Sequence, residues 1–370
     1  MNLGLFVPEL VLAATAIAVI LLDLFVEKKG LLAAVGVVGL LVSAGFTLAM
    51  WGTSEAIFSG MLAVDGFSLF FKLLFLGVAG LVILASQDYV SKFSNFRGEY
   101  YALVLLSTLG MILMSAAQEL ITIYIALELT SISLYILSGF LKDKKSSEAS
   151  LKYLLLGAIS SAVLLFGMAL VFGFTGSTEL GQIAASIAGL GSTGVTANPA
   201  LIVGVVMLIA GFGFKIAAIP FQLWVPDVYE GAPTPVVAFL SVGSKAAGFA
   251  LILRVFSSAF GMSDWLSMGW ASVFAALAAI GMFVGNISAI PQVNIKRMMG
   301  YSSIAQAGYL MVGLAAMGVS ASTDTSGQSS VIFFLAGYAL ANLGAFTAII
   351  AISNKVDSDL IESYSGMFKR

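Results

Sequence analysis

The stretch FGFKIAAIPFQLWVPDVYEGAPTPVVAFLSVGSKAAGFALILR (212–254) carries two lysines in apolar surroundings and, between them, four of the chain's seven prolines. Pro220 has no N–H, so the carbonyl of Ile216, next to Lys215, loses its helical partner. In a bilayer such irregular backbone is tolerated only inside protein or along a watery cavity. A simple kink followed by a loop would account for Asp227 and Glu230, but not for a lysine ahead of the break. A lysine beside a broken helix at membrane depth is the pattern of an ion pathway.

The rest of the chain bears out a membrane setting. Of 370 residues, 60% are hydrophobic and 10% charged, against about 25% charged in soluble domains. A span needs about 20 mostly apolar residues. Eleven segments qualify: 5–26, 31–51, 66–86, 100–117, 119–141, 149–174, 200–219, 235–257, 265–289, 299–318 and 329–352. No strand-like alternation appears, so the predicted class is an all-α polytopic bundle. The first span has neither a basic leader nor a small-residue cleavage site and reads as a membrane helix.

Twelve basic residues fall in loops, all after odd-numbered spans: Lys28, Lys29, Lys92, Arg97, Lys142, Lys144, Lys145, Lys296, Arg297, Lys355, Lys369 and Arg370. The loops after even-numbered spans, including 175–199 and 319–328, hold none. By the positive-inside rule the N-terminus faces outside and the odd loops face the cytoplasm.

With no cysteine and no histidine, the chain lacks the usual ligands of iron–sulfur clusters, haem and zinc. No metal site is expected, and no basic tract points to nucleic acid. Any proton relay must run on Lys, Glu, Asp, Tyr, Ser and water. GFGF (211–214) and the other glycine pairs read as close-packing surfaces, and the many Met and Phe as packing.

Five basic residues remain inside predicted spans: Lys72, Lys152, Lys215, Lys245 and Arg254. A charge at a helix centre costs about 2.5–3.5 kcal/mol on insertion scales. Glu128 is mid-span in ITIYIALELTSISLYIL, Lys245 is mid-span in the eighth segment, and Lys215 is central if the seventh continues past Pro220. A buried Glu128–Lys215 pair could simply fix packing, though such pairs contribute little net stability. Alternatively the glutamate tunes the lysine, because burial disfavours the ammonium and a nearby carboxylate favours it. Lys245 is then the next station. Lys152 reads either as a snorkelling interfacial lysine or as a proton-uptake residue. Arg254 reads as an interfacial anchor. Lys72 shares a helical face with Asp65 and reads as its local partner, with no function assigned.

The 212–254 block closely resembles the antiporter-like, proton-conducting membrane subunits of respiratory complex I (NADH-quinone oxidoreductase). So do ELITIYIALELTSISLYIL (119–137), EASLKYLLLGAISSAVLLFG (148–167) and NIKRMMGYSSIAQAGYLMVGL (294–314). FVPELVLAATAIAVILLDLF (6–25) and the SKAAGF stretch are most like the N-type members. The resemblance implies a proton relay of Glu128, Lys215 and Lys245, with Lys152 in uptake, and a proline-broken seventh helix. It implies that NADH, FMN, iron–sulfur clusters and quinone are handled by other subunits, with no cofactor in this chain. The implied partners are other membrane subunits and the lipid of the cell inner (plasma) membrane.

The same resemblance implies an N-terminal three-helix region (1–99), a five-helix antiporter-like unit (100–258) and the start of a second, inverted unit (259–370). LLLGAISSAVLLFG (154–167) and FFLAGYALANLGAF (333–346) are faintly alike, as an inverted repeat requires of the sixth and eleventh helices. Family members usually have about fourteen helices, and this sequence stops at Arg370 just before the expected second broken helix with its lysine, so either the sequence is a fragment or the exit half is missing. Many relatives have histidine where Gln222 stands, so a relay step there must use water or be skipped. Two other functions are compatible with the residues: a subunit of a cation/proton antiporter, and a non-conducting scaffold.

Overall fold

A computed structural model describes residues 3–26, 30–87, 89–92, 97–190, 198–261, 264–319 and 325–366. Lys28, Lys29, Lys369 and Arg370 lie outside the described residues, as do 191–197 and 320–324 of the two polar loops. Among the described residues, eleven helices are long and apolar enough to cross a membrane, matching the predicted number. They are α1 (Val7–Asp23), α2 (Gly30–Ala49), α3 (Gly66–Ala85), α4 (Arg97–Ala116), α5 (Leu120–Ser138) and α6 (Lys144–Thr175). After the short α7 (Leu180–Ala188) come α8 (Pro199–Ile216), the short α9 (Val225–Gly231), α10 (Thr234–Ser258), α11 (Asp264–Ala289), α12 (Ile295–Val319) and α13 (Ser326–Val356).

Local chemistry sets several of these ends. Asp65 caps α3 by accepting from the Ser68 N–H at 2.7 Å, and Ser68 returns the bond, completing a capping box. Asp143 caps α6 in the same way through the Ser146 N–H. Two small elements escape a hydropathy reading. One is the hairpin of β1 (Glu55–Ile57) and β2 (Leu62–Val64). The other is α7, nine residues whose Leu180, Ile183, Ala184 and Ile187 face inward, in a stretch read as polar loop. Both are too short to score as spans.

Helix α10 is the axis of the bundle: every residue from 234 to 256 is buried, whereas α6 and α11 each leave a broad face exposed. Close approach is bought with glycine. A Cβ on Gly167 of α6 would meet the Gly204 carbonyl of α8 at 2.9 Å, the small-residue contact typical of membrane helices.

The loops sort by end. At one end Lys145 meets Glu230, Arg297 meets Asp227, and Lys296 meets Asp359; this is the basic end. At the other, Leu62 bridges Ala117 and Glu119 bridges Glu179. Lys145, Lys296 and Arg297, from the loops after the fifth and ninth spans, therefore share one end of the bundle.

Two expectations are corrected here. Lys72 pairs not with Asp65 but with Glu9 of α1, at 2.5 Å, both side chains 2% exposed or less. Seven residues along a helix is about 10.5 Å, and the Asp65 carboxylate is turned toward its cap and across the bundle. Its partner there is Arg254, through bonds of 2.6 and 3.0 Å. Arg254 is thus not an interfacial anchor. It is buried, donates also to the Ser115 carbonyl at 2.8 Å, and lies over the Phe67 ring. It ties the end of α10 to α3 and α4.

Candidate functional site

The break falls where the prolines put it. α8 stops at Ile216, Ala217 adopts a left-handed conformation (φ 61°), and the chain restarts at Val225. The Ala218 N–H reaches back to the Gly213 carbonyl at 2.8 Å. The Trp224 indole N–H donates to the Phe214 carbonyl at 3.1 Å. The Gly213 and Phe214 carbonyls, freed by the break, are thereby satisfied inside protein, as a bilayer requires. Gln222, within the break, has its Oε1 buried without a hydrogen-bond partner, and an amide cannot titrate as an imidazole does.

Lys215, in the last turn of α8, is 8% exposed. Its Nζ donates to Ser131 Oγ at 2.6 Å and to the Tyr135 hydroxyl at 3.4 Å, both on α5. Ser131's own proton is committed to the Leu127 carbonyl, which leaves its lone pairs to the lysine. Glu128 lies on the same helix, three residues before Ser131. It makes no ion pair with Lys215; its Oε1 accepts from Ser161 Oγ of α6 at 2.5 Å. The direct pair considered from the sequence is replaced by two hydroxyl-held charges.

Lys245 is 3% exposed and follows a π-helical turn, Leu240–Ser244, within α10. Such turns are rare and concentrate at functional sites. Its Nζ donates to the carbonyl of Ser303 and, at 2.5 Å, to Ser303 Oγ. It also lies 5.5 Å from the Tyr338 ring centre. Among the described residues no carboxylate pairs with it.

Between the two lysines runs an aromatic column. Tyr135 packs edge-on to Tyr153 at 4.6 Å, and Tyr153 stacks on Trp224 at 4.3 Å. Gly157 has no side chain because the Tyr135 hydroxyl occupies the place of its Cβ. Gly248, one turn beyond Lys245, lies against Ile216 and the Lys215 Cβ. The two lysines therefore sit on helices in direct contact.

Lys152 is 45% exposed at the basic end, paired with Glu148 at 2.8 Å and Asp227 at 2.7 Å. Asp227 and Glu230 of α9 also hold Arg297, and Glu230 holds Lys145. Four of these side chains, Lys145, Lys152, Asp227 and Glu230, line a polar cavity of about 120 Å³. Partial burial pushes the Asp227 carboxyl up, but the bonds from Lys152 and Arg297 outweigh it and hold it below the usual range. Glu230 is likewise depressed, burial being outweighed by bonds from Lys145 and Arg297. These two acids, read from sequence as loop-facing, instead clamp α9 to α6 and α12.

Sequence reasoning found the charges and missed the hydroxyls that hold them: Ser131, Tyr135, Ser161 and Ser303. The available signal was the short spacing of Glu128, Ser131 and Tyr135 along α5.

Comparison with known proteins agrees with this geometry. Residues 117–370 match the family described as NADH:quinone oxidoreductase/Mrp antiporter, transmembrane. NADH-quinone oxidoreductase subunit N of Dehalococcoides mccartyi is 51% identical over 370 residues, covering 99% of this chain and 76% of that protein. The subunit N of Desulforamulus reducens is 47% identical over 373 residues, covering 100% of this chain and 75% of its own length. The chain thus spans about three quarters of these relatives. Among solved structures, respiratory complex I from Thermus thermophilus superposes with a TM-score of 0.78 at 34% identity, over 98% of this chain and 74% of the matched one. The Mrp complex from a Dietzia species shares the fold, with a TM-score of 0.77 at 21% identity, over 95% of this chain and 65% of the matched one. The chain belongs to the NADH:quinone oxidoreductase/Mrp antiporter family of antiporter-like transmembrane proteins.

Proposed function

We propose that this chain is a proton-translocating membrane subunit of an NADH-quinone oxidoreductase, moving protons by a Glu128–Lys215–Lys245 relay. The observation that carries the reading is the pair of buried lysines on touching helices, each held by neutral hydroxyls rather than by a carboxylate. An ammonium held this way can give up its proton without stranding a buried anion. Lys152 and its acid partners at the cavity mouth supply proton uptake, on the face that the basic loops assign to the cytoplasm. The N-terminus faces outside across the cell inner membrane. Residues 100–258 act as one antiporter-like unit and 259–370 begin a second. NADH, FMN, iron–sulfur clusters and quinone belong to other subunits of the assembly, and this chain needs no cofactor of its own. Moving one charge against 100 mV takes about 2.3 kcal/mol, a scale that rearranging one Glu–Lys interaction can reach.

The test is neutralisation in the assembled complex. Lys215→Ala and Glu128→Ala abolish or cripple proton pumping while assembly persists. Normal pumping by both variants would exclude the relay and leave a scaffold. Because the family also contains Mrp antiporters, sodium-dependent growth rescue of an antiporter-deficient strain would transfer the relay to cation exchange.

A further inference from the structure

Lys245 rests on Ser303, and Ser303 is also where α9 and α13 meet α12. Its Oγ lies 2.5 Å from Lys245 Nζ and 3.0 Å from the Tyr229 hydroxyl, which donates to it. The Tyr338 hydroxyl is 3.3 Å away. All four side chains are buried. A serine hydroxyl offers one proton and two lone pairs, and an ammonium can only donate. Lys245 and Tyr229 fill the two lone pairs. The proton of Ser303 then has the oxygen of Tyr338 as its remaining partner among these groups, so the chain of bonds has a direction.

We propose that Ser303 and Tyr338 carry the proton onward from Lys245, with Tyr229 as the positioning residue that aims Ser303 toward Tyr338. This rests on the relay reading above. In the step, a proton passes from Lys245 Nζ to Ser303 Oγ as Ser303's own proton moves to Tyr338 Oη. The Tyr338 proton leaves to water on the side of Asn342, one turn further along α13. Both hydroxyls end neutral and Lys245 ends as the free amine. Rotation of the two hydroxyls, with a new proton on Lys245, resets the chain. Tyr229 belongs to α9, whose Asp227 and Glu230 are clamped at the basic end, so a shift of that clamp moves the group that sets the direction.

The experiment uses the assembled complex in proteoliposomes, reading protons moved per NADH oxidised in H₂O and D₂O. Tyr338→Phe keeps the ring over Lys245 and removes only the hydroxyl; pumping falls about tenfold. Ser303→Ala falls at least as far, and Ser303→Thr, which keeps a hydroxyl, restores most of it. Tyr229→Phe falls less but alters the solvent isotope effect, which a packing role would leave alone. Normal pumping in Tyr338→Phe, or equal losses in Ser303→Ala and Ser303→Thr, overturns the proposal. Lys245→Ala in the same vesicles reports separately on the relay reading, which fails if that variant pumps normally.

Discussion

Lys72 in α3 and Lys245 in α10 are buried almost equally, at 1% and 3% exposure, yet their surroundings differ in kind. Lys72 has a carboxylate at 2.5 Å, whereas Lys245 has, among the described residues, the oxygens of Ser303 and the face of Tyr338. Arg254 and Lys296 follow the first pattern, bound to Asp65 and Asp359, and Lys215 follows the second. A cation facing a carboxylate is pinned, because losing its proton would leave the anion buried alone. A cation facing hydroxyls leaves no uncompensated charge behind. The same residue type thus holds the frame in one place and stays available for transfer in another.

The sharpest way to break the contrast is to remove each lysine in turn. Lys72→Met strands Glu9, whose Oε2 already has no hydrogen-bond partner. Its expected cost is about 3–5 kcal/mol, seen as lost assembly or a lower unfolding temperature in detergent. The double variant Glu9→Gln/Lys72→Met recovers most of that loss. Lys245→Met leaves no stranded carboxylate. It is expected to assemble nearly normally while losing proton pumping, so equal destabilisation by the two single variants would dissolve the distinction.

A smaller effect is expected at the contact between the two relay helices. A Cβ on Gly248 would stand 2.8 Å from Ile216 Cγ2. Overpacking of this kind costs about 1–3 kcal/mol, and here it also separates Lys215 from α10. Gly248→Ala is expected to slow pumping with a modest fall in thermal stability.

The mildest prediction concerns acid. Burial raises the Asp65 carboxyl, but the bonds and charge of Arg254 outweigh it and set it below its ordinary 3.8. A depressed carboxylate contributes stability that is fully present above the unfolded value and is lost as pH falls through the folded one. Thermal stability attributable to this pair is therefore flat from pH 5 to 8 and declines below about pH 4. Asp65→Asn, measured at neutral pH, reproduces the acid loss, and a decline already visible at pH 6 would point to another group.

The division between pinned and uncommitted lysines was only half visible beforehand. Hydropathy located every span because about 20 apolar residues in a row leave little ambiguity, and charges stand out against them. The prolines from 220 to 235 located the break for the same reason. Partners were another matter. Asp65 was matched to Lys72 because periodicity sees only along one helix, while the true partner, Glu9, approaches from another. Ser131 and Ser303 left no comparable mark, since serine is tolerated in any membrane helix, where it can bond its own backbone, as Ser133 and Ser138 do. Whether a hydroxyl faces a lysine or its own turn is decided by packing between helices.

The burial of α10 along 234–256 has a consequence for the membrane around the protein. A helix without a lipid-facing side is insulated from changes in bilayer thickness and composition, which act by tilting helices that touch the hydrocarbon. Helices such as α2 and α11 absorb those changes first, and the lysine at the axis keeps its setting. The outer wall can then vary with the lipids of its host while the inner machinery stays the same.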